Sequence, residues 1–452
     1  MPVIRTVLRN IFLLLFIPIC LVGKNSWAVV LIRDAEIEST LKSYSEPVFK
    51  AAGINSEATN IFIVQDDSIN AYVTGGANIF INTGLIIRSD TPDVLIGVIA
   101  HEVGHIAGGH LTRSTQKMKE TRMANILSLV LGTAAAVISK KPEAAAAVIT
   151  GGQSSIYRDF LSYSRANEQS ADQSAINSLD KLGISANGML KLFNILKDNE
   201  RQKFGQIDPY MVTHPLTSER IEFIKNHIKN SVIKKGSYPA KYKILHQRML
   251  AKLYAFLNTP TKTIRKYPES DKSLAGRMAR AIAYYKIPDL EKSIIEINSI
   301  IQDYPNDPFL YELKGQILFE NRRKEQALTA YQKAVELLPN YALILADLAR
   351  VELAHEDNFL TKKAITHLEK SVSIENNNPQ SWRLLATAYG RIGNMSMSYL
   401  SLAEEALLNE EKENAIEMVN RALSGLTASS PSYRRAHDLK NKAKELKDDK
   451  NL

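Results

Sequence analysis

Cysteine is all but missing: the only one in 452 residues is Cys20. It lies inside an amino-terminal segment that reads as removable, and a mature chain without thiols forms no disulfide. It offers no sulfur nucleophile and builds no cysteine zinc site. The residue before it is Ile19, so the small residue of a lipoprotein cleavage box is missing too. Long apolar runs are equally scarce. The two longest, Ile11 to Val22 and Ile126 to Ile138, fall short of the ~20 residues that span a bilayer, which argues against a multi-span membrane protein. A basic patch interleaved with aromatics is also lacking, so nucleic acid is a poor partner despite the net charge of +9. That charge suits peripheral contact with anionic lipid instead.

Residues 1–28 read as a secretory signal. Arg5 and Arg9 supply the positive start, Ile11 to Val22 the apolar core, and Ser26-Trp27-Ala28 a small-x-small cleavage site. An uncleaved anchor is the alternative.

The chain is organised around Ala100-His101-Glu102-Val103-Gly104-His105-Ile106. Residues four apart share a helix face, so the imidazoles of His101 and His105 can hold a single Zn²⁺. Glu102 then sits beside the metal without ligating it, placed to take a proton from water whose pKa the metal lowers. Thr91 as N-cap, Pro92 at the first helical position and Asp93 in the first turn mark where that helix begins. Val94, Leu95, Ile96, Val98 and Ile99 give it a packed back. Gly108-Gly109 should end it.

Such a site needs a third protein ligand. His110 misses the metzincin register by one residue and should point away from the metal. Glu168 and Asp172 are the better pair, at i and i+4 on one face of a later helix. Glu168 would complete a His₂Glu set and leave a fourth position open. Asp172 would accept the outer N–H of a ligating histidine and fix its tautomer.

HExxH followed about sixty residues later by E-x-x-A-D resembles the M48 family of gluzincin metallopeptidases. The resemblance extends upstream through Asn70–Gly76 and Ile79–Leu85, and downstream through Thr213–Arg220. It implies one zinc per chain held by His101, His105 and Glu168, with Glu102 as general base.

Around that centre, Ile61–Val64, Ala71–Val73 and Asn78–Asn82 read as strands, the last two joined across Gly75-Gly76. A ribbon beside the active helix can take an extended substrate as an added strand. The oxyanion of peptide hydrolysis needs a donor; Tyr210 and His214 are candidates, and Asn78 is another group that could touch substrate. His214 might equally fill the open metal position and silence the enzyme, or serve only a structural His-Pro turn. Arg220 on the next helix could hold a carboxylate near the site. The apolar stretch 126–150 reads as a buried helix, a flap or a membrane-touching segment.

Beyond Lys234-Lys235-Gly236 small residues recur. Gly315, Ala327 and Ala334, then Ala403, Ala415 and Ala422, share offsets of twelve and seven; Ala349, Ala364 and Ser371 repeat them with a three-residue insertion. Ala281 and Ser293 begin the series, and Pro305 and Pro339 are 34 residues apart, the tetratricopeptide period. About four repeats are expected. The fold class is mainly α with a small β-sheet, a gluzincin-type peptidase followed by a tetratricopeptide α-solenoid. The division is 1–28 signal peptide, 29–233 peptidase, 234–265 helical connection and 266–452 repeats.

The leading functional reading is a periplasmic zinc endopeptidase acting on misfolded or stalled envelope proteins, its repeats docking substrate or the outer-membrane assembly machinery. The envelope setting and substrates are what the resemblance implies. The rival is a repeat-based chaperone or assembly factor with latent or self-inhibited proteolysis.

Overall fold

The computed structural model describes residues 30–55, 59–75, 77–110, 112–113, 116, 164–202 and 209–446. The expected signal segment at 1–28 and the apolar stretch at 126–150 lie outside these. Among the described residues no helix is long and apolar enough to cross a membrane.

Four short strands, β1 (Leu31–Ile32), β2 (Asn60–Val64), β3 (Ala71–Thr74) and β4 (Asn78–Asn82), form one sheet in the order β1-β2-β4-β3. The β3–β4 hairpin is antiparallel as the sequence suggests, while β2 pairs parallel to β4. Alternation sends Ile63, Ile79 and Ile81 into the core. Phe62, Phe80 and Tyr72 line up across the strands, with ring centroids 5.0 and 5.3 Å apart. β3 is left as a free edge and packs against the helix that carries HEVGH.

Helix α1 (Ala35–Ala52) is opened by the Asp34 carboxylate, which accepts from the Ile37 amide, and closed by Gly53 in the left-handed region. After the short α2 (Thr83–Arg88) comes α3 (Pro92–Ala107), bearing HEVGH. Thr91 is extended at the N-cap position, but its hydroxyl makes no cap bond; it accepts from Lys191 at 2.9 Å instead. Lys191 also pairs with buried Asp93 at 3.0 Å, so a cation has taken over part of the expected capping. Leu95, Ile96 and Ile99 are fully buried, each contributing about 1.5–3 kcal/mol by leaving water. The helix stops at Gly108-Gly109, where Gly109 has φ +61°.

Residues 164–181 form α4, which crosses α3 at very close range. A Cβ at Gly104 would lie 2.6 Å from the Ala171 carbonyl oxygen, so only glycine lets the two backbones approach. Helices α5 (Asn187–Gln202), α6 (Pro209–Thr213) and α7 (Ser218–Asn230) close around this pair, and α8 (Ala240–Leu257) leads away.

Five helix pairs follow: Leu274–Lys286 with Leu290–Asp303, Pro308–Glu320 with Lys324–Leu337, and Ala342–Leu353 with Asn358–Ile374. Then come Pro379–Arg391 with Met395–Leu408, and Lys412–Leu423 with Pro431–Glu445. This is one pair more than the small-residue count suggested. Trp382, Leu385, Ala386 and Tyr389 read in the sequence as the first helix of a repeat and are buried in Pro379–Arg391, where the Ser398 hydroxyl of the next helix donates to the Ala386 carbonyl at 2.9 Å. Ser293 makes the same bond to Ala281 at 2.7 Å. The expected small positions from Ala281 to Ala422 are buried, and at Gly315 a Cβ would meet the Tyr331 ring at 2.6 Å.

The repeats fold back onto the amino-terminal part. Lys252, fully buried, lies 2.9 Å from Asp34, 3.5 Å from Glu36 and 3.3 Å from Glu312. Arg33 reaches Glu375 at 2.6 Å, and the Tyr341 hydroxyl donates to the Ala35 carbonyl at 2.9 Å.

Candidate metal centre

One turn of α3 puts His101 and His105 side by side, their Nε2 atoms 3.1 Å apart. Helix α4 brings Glu168 against both: Oε2 is 3.3 Å from His101 Nε2 and Oε1 is 3.3 Å from His105 Nε2. After α6 the chain turns at His214, whose Nδ1 stands 3.3 Å from His101 Nε2 and 3.2 Å from Glu168 Oε1. These four side chains form one group able to hold a metal ion. An ion bonded at 2.0–2.1 Å in a tetrahedron has ligand–ligand edges of about 3.3 Å, so the donors present fit it.

The surroundings fix the donors. His101 turns its other nitrogen, Nδ1, to Asp172 Oδ1 at 2.9 Å. Asp172 is held by a two-point fork from Arg220: Nε to Oδ2 at 2.6 Å and Nη2 to Oδ1 at 2.8 Å. The third guanidinium nitrogen, Nη1, lies 2.8 Å from Glu168 Oε2 and donates to the Pro215 carbonyl at 3.0 Å. One arginine therefore aligns both carboxylates of α4. His110 is not one of the four donors; its Nδ1 is 3.0 Å from His105 Nδ1, against the outer nitrogen of that ring.

Glu102 is buried beside this group, and neither carboxylate oxygen has a hydrogen-bond partner. Its nearest charged-group contact is His214 Nε2 at 3.5 Å. Burial pushes the Glu102 carboxyl up to about 7, the range of a working general base. Glu168 goes the other way. Its burial is outweighed by bonds from His101, His105 and His214, which hold it well below the usual carboxylate range. Two neighbouring glutamates with opposite shifts mark separate acid–base and ligand tasks.

The remaining sequence candidates fall at different distances from this centre. Tyr210 is buried with its ring 4.6 Å from the His214 ring, and burial keeps its phenol protonated. Arg220 spends its three nitrogens on Asp172, Glu168 and Pro215, so it aligns carboxylates as expected and has none spare for an oxyanion. Asn78 is occupied elsewhere: its amide donates to the Gly75 carbonyl at 3.1 Å and its oxygen accepts from Asn60 at 3.0 Å. Neither contact reaches the imidazoles.

His110 stays outside the donor group as the sequence reading expected, but the turn at Gly108-Gly109 folds its ring back against His105 rather than away. What sequence reasoning missed is Gly104. A glycine inside a helix costs about 1 kcal/mol against alanine, which was the available signal that another backbone must pass there.

Comparisons with known proteins bear on both parts of the chain. Peptidase family M48 matches residues 33–228, and a tetratricopeptide repeat matches residues 308–341. The beta-barrel assembly-enhancing protease of Yersinia pestis is 23% identical over 379 residues, covering 82% of this chain and 76% of that one. The protein of the same name from Escherichia coli is 21% identical over 406 residues, covering 88% and 81%. The metalloprotease YcaL of Escherichia coli is 26% identical over 183 residues, or 40% of this chain and 67% of that one. The chain carries a family M48 metallopeptidase domain across residues 33–228, followed by tetratricopeptide repeats.

Proposed function

We propose that this chain is a periplasmic zinc endopeptidase that removes misfolded or stalled envelope proteins, with the repeats docking substrates or an outer-membrane assembly partner. What carries the reading is the cluster of His101, His105, Glu168 and His214, whose ligand atoms all lie within 4.8 Å of one another, beside buried Glu102, whose oxygens accept no hydrogen bond among the described residues. Zinc suits two imidazoles and one carboxylate, and His101, His105 and Glu168 would hold it. Once bound, it supplies Lewis acidity, lowering the pKa of water and polarising the scissile carbonyl.

The protein's own groups do the rest. Glu102 accepts the proton of the attacking water and returns it to the leaving amine. Asp172, held by Arg220, keeps His101 in one tautomer and orientation. Tyr210, protonated and packed against His214, would be the donor to the oxyanion. The free edge of β3 suits an extended peptide added as a further strand, which selects unfolded segments over compact ones. The expected signal at residues 1–28 and the names of the relatives support the envelope setting. We read 29–233 as the peptidase unit, 234–265 as the connection and 266–452 as the repeat unit.

The position of His214 favours a refinement. Its Nδ1 stands at the fourth corner, where water must enter, so the resting enzyme is self-inhibited until this residue is displaced. Zinc content and casein degradation of the purified mature protein test the reading. Wild type should carry one zinc per chain and Glu168→Ala far less; equal zinc in both would overturn it.

A further inference from the structure

The corner between α7 and α8 carries charge of one sign. Residues 229–243 hold Lys229, Lys234, Lys235, Lys241 and Lys243 and not one Asp or Glu. All five lysines are exposed, and none of them enters an ion pair among the described residues. The corner is stiff. Gly236 adopts φ +72°, the Ser237 amide bonds the Lys234 carbonyl at 3.2 Å, and Tyr238 is anchored against the core. Lys234 and Lys235 therefore project from a tight turn whose base is fixed.

Apolar side chains stand among these cations. Val232 is 96% exposed, Ile244 53% and Phe223 38%. A bare valine between the end of α7 and that turn gains nothing in water, and alone it would need no explanation. With exposed Lys234 and Lys235 two and three residues on, and no carboxylate in residues 229–243, it fits the pattern that rests on an anionic bilayer: lysines at the headgroups, short apolar side chains just below.

We infer that the 229–243 corner docks this enzyme on the surface of an anionic phospholipid membrane, with Val232 entering the headgroup layer. Binding is peripheral and electrostatic, so salt weakens it. Docking would hold the peptidase close to polypeptides emerging at that surface. It does not depend on the zinc chemistry, and its failure would leave the peptidase reading intact.

The test uses the full mature chain and sedimentation with vesicles of phosphatidylcholine, with or without about 30 mol% phosphatidylglycerol. Wild type should sediment with the anionic vesicles, release between about 0.05 and 0.5 M salt, and ignore neutral ones. Lys234→Glu/Lys235→Glu should lower the partition coefficient at least tenfold, while Lys234→Arg/Lys235→Arg retains it. Val232→Asp should weaken it at unchanged melting temperature. A control with the same charge change on the distant carboxy-terminal helix, Lys440→Glu/Lys442→Glu, should retain most binding. Absence of anionic-vesicle binding by wild type, equal binding to neutral vesicles, or an equal loss in the control would each overturn the proposal.

Discussion

Arg220 grips Asp172 through two parallel bonds of 2.6 and 2.8 Å, and both side chains are buried. The pair lies behind His101 and is almost wholly buried, a position from which it would aim that imidazole. Removing the cation strands two buried carboxylates, Asp172 and Glu168. Arg220→Leu should therefore cost roughly 3–5 kcal/mol of stability, the usual result of breaking a buried ion pair from one side. Arg220→Lys should recover only part, because an ammonium cannot make the fork. Thermal melts of the apo protein measure both.

Asp172→Asn keeps the shape and changes the electrostatics. The amide no longer fixes the His101 tautomer, so metal affinity should fall about 10–100-fold while the fold survives. Competition with a zinc chelator reads this directly, and an unchanged affinity would remove Asp172 from the metal's support.

His214→Ala separates the two roles left open for that residue. If its imidazole blocks the fourth position, as the 3.2–3.3 Å contacts indicate, casein degradation should rise by about tenfold as the closed state loses its competitor. An oxyanion donor would behave oppositely, with loss of about 10²–10³ in rate. The expected outcome is the rise.

Lys252 ties three segments far apart in sequence: Asp34 and Glu36 at the start of α1, Glu312 in the repeats, and its own helix α8. Lys252→Met leaves Asp34 and Glu312 without their shared counter-charge, while Glu36 keeps Arg248 at 2.5 Å. The cost should be about 3–5 kcal/mol, with one calorimetric transition splitting into two as peptidase and repeats uncouple.

His246 gives a pH dependence outside the metal centre. Its Nε2 donates to the Ser89 carbonyl at 2.6 Å, and burial lowers its pKa below the ordinary histidine value. The folded state therefore holds this imidazole neutral. That contribution is complete above the unfolded pKa of about 6.5 and is lost as pH falls below it. Stability should drop from about pH 7.5 to 5.5, and His246→Gln, weaker at the start, should lose less over the same range.

What the sequence made legible was whatever a local period encodes. His101, Glu102 and His105 follow from one helical turn, Glu168 and Asp172 from another, and the twelve-and-seven spacing of Ala327, Ala334, Ala415 and Ala422 from packed helix pairs. The helix with Trp382, Leu385, Ala386 and Tyr389 was legible as another repeat, whereas its partner carrying Ser398 lies outside the twelve-and-seven series, and its hydroxyl is satisfied by the Ala386 carbonyl. Partnerships across long separations were beyond reach. Nothing local says that Asp34 will meet Lys252, that β2 will lie parallel to β4, or that His110 will fold back on His105. The Arg220 clamp was legible only as a cation near carboxylates; its geometry depends on Gly104 letting α4 approach.

The central claim is that Glu102 moves the proton beside a metal held by His101, His105 and Glu168. Casein cleavage by zinc-loaded Glu102→Gln, compared with wild type at equal zinc content, tests it most directly. The account predicts about one zinc per chain in both and a loss of at least 10²-fold in cleavage. Cleavage at the wild-type rate by that variant would contradict it.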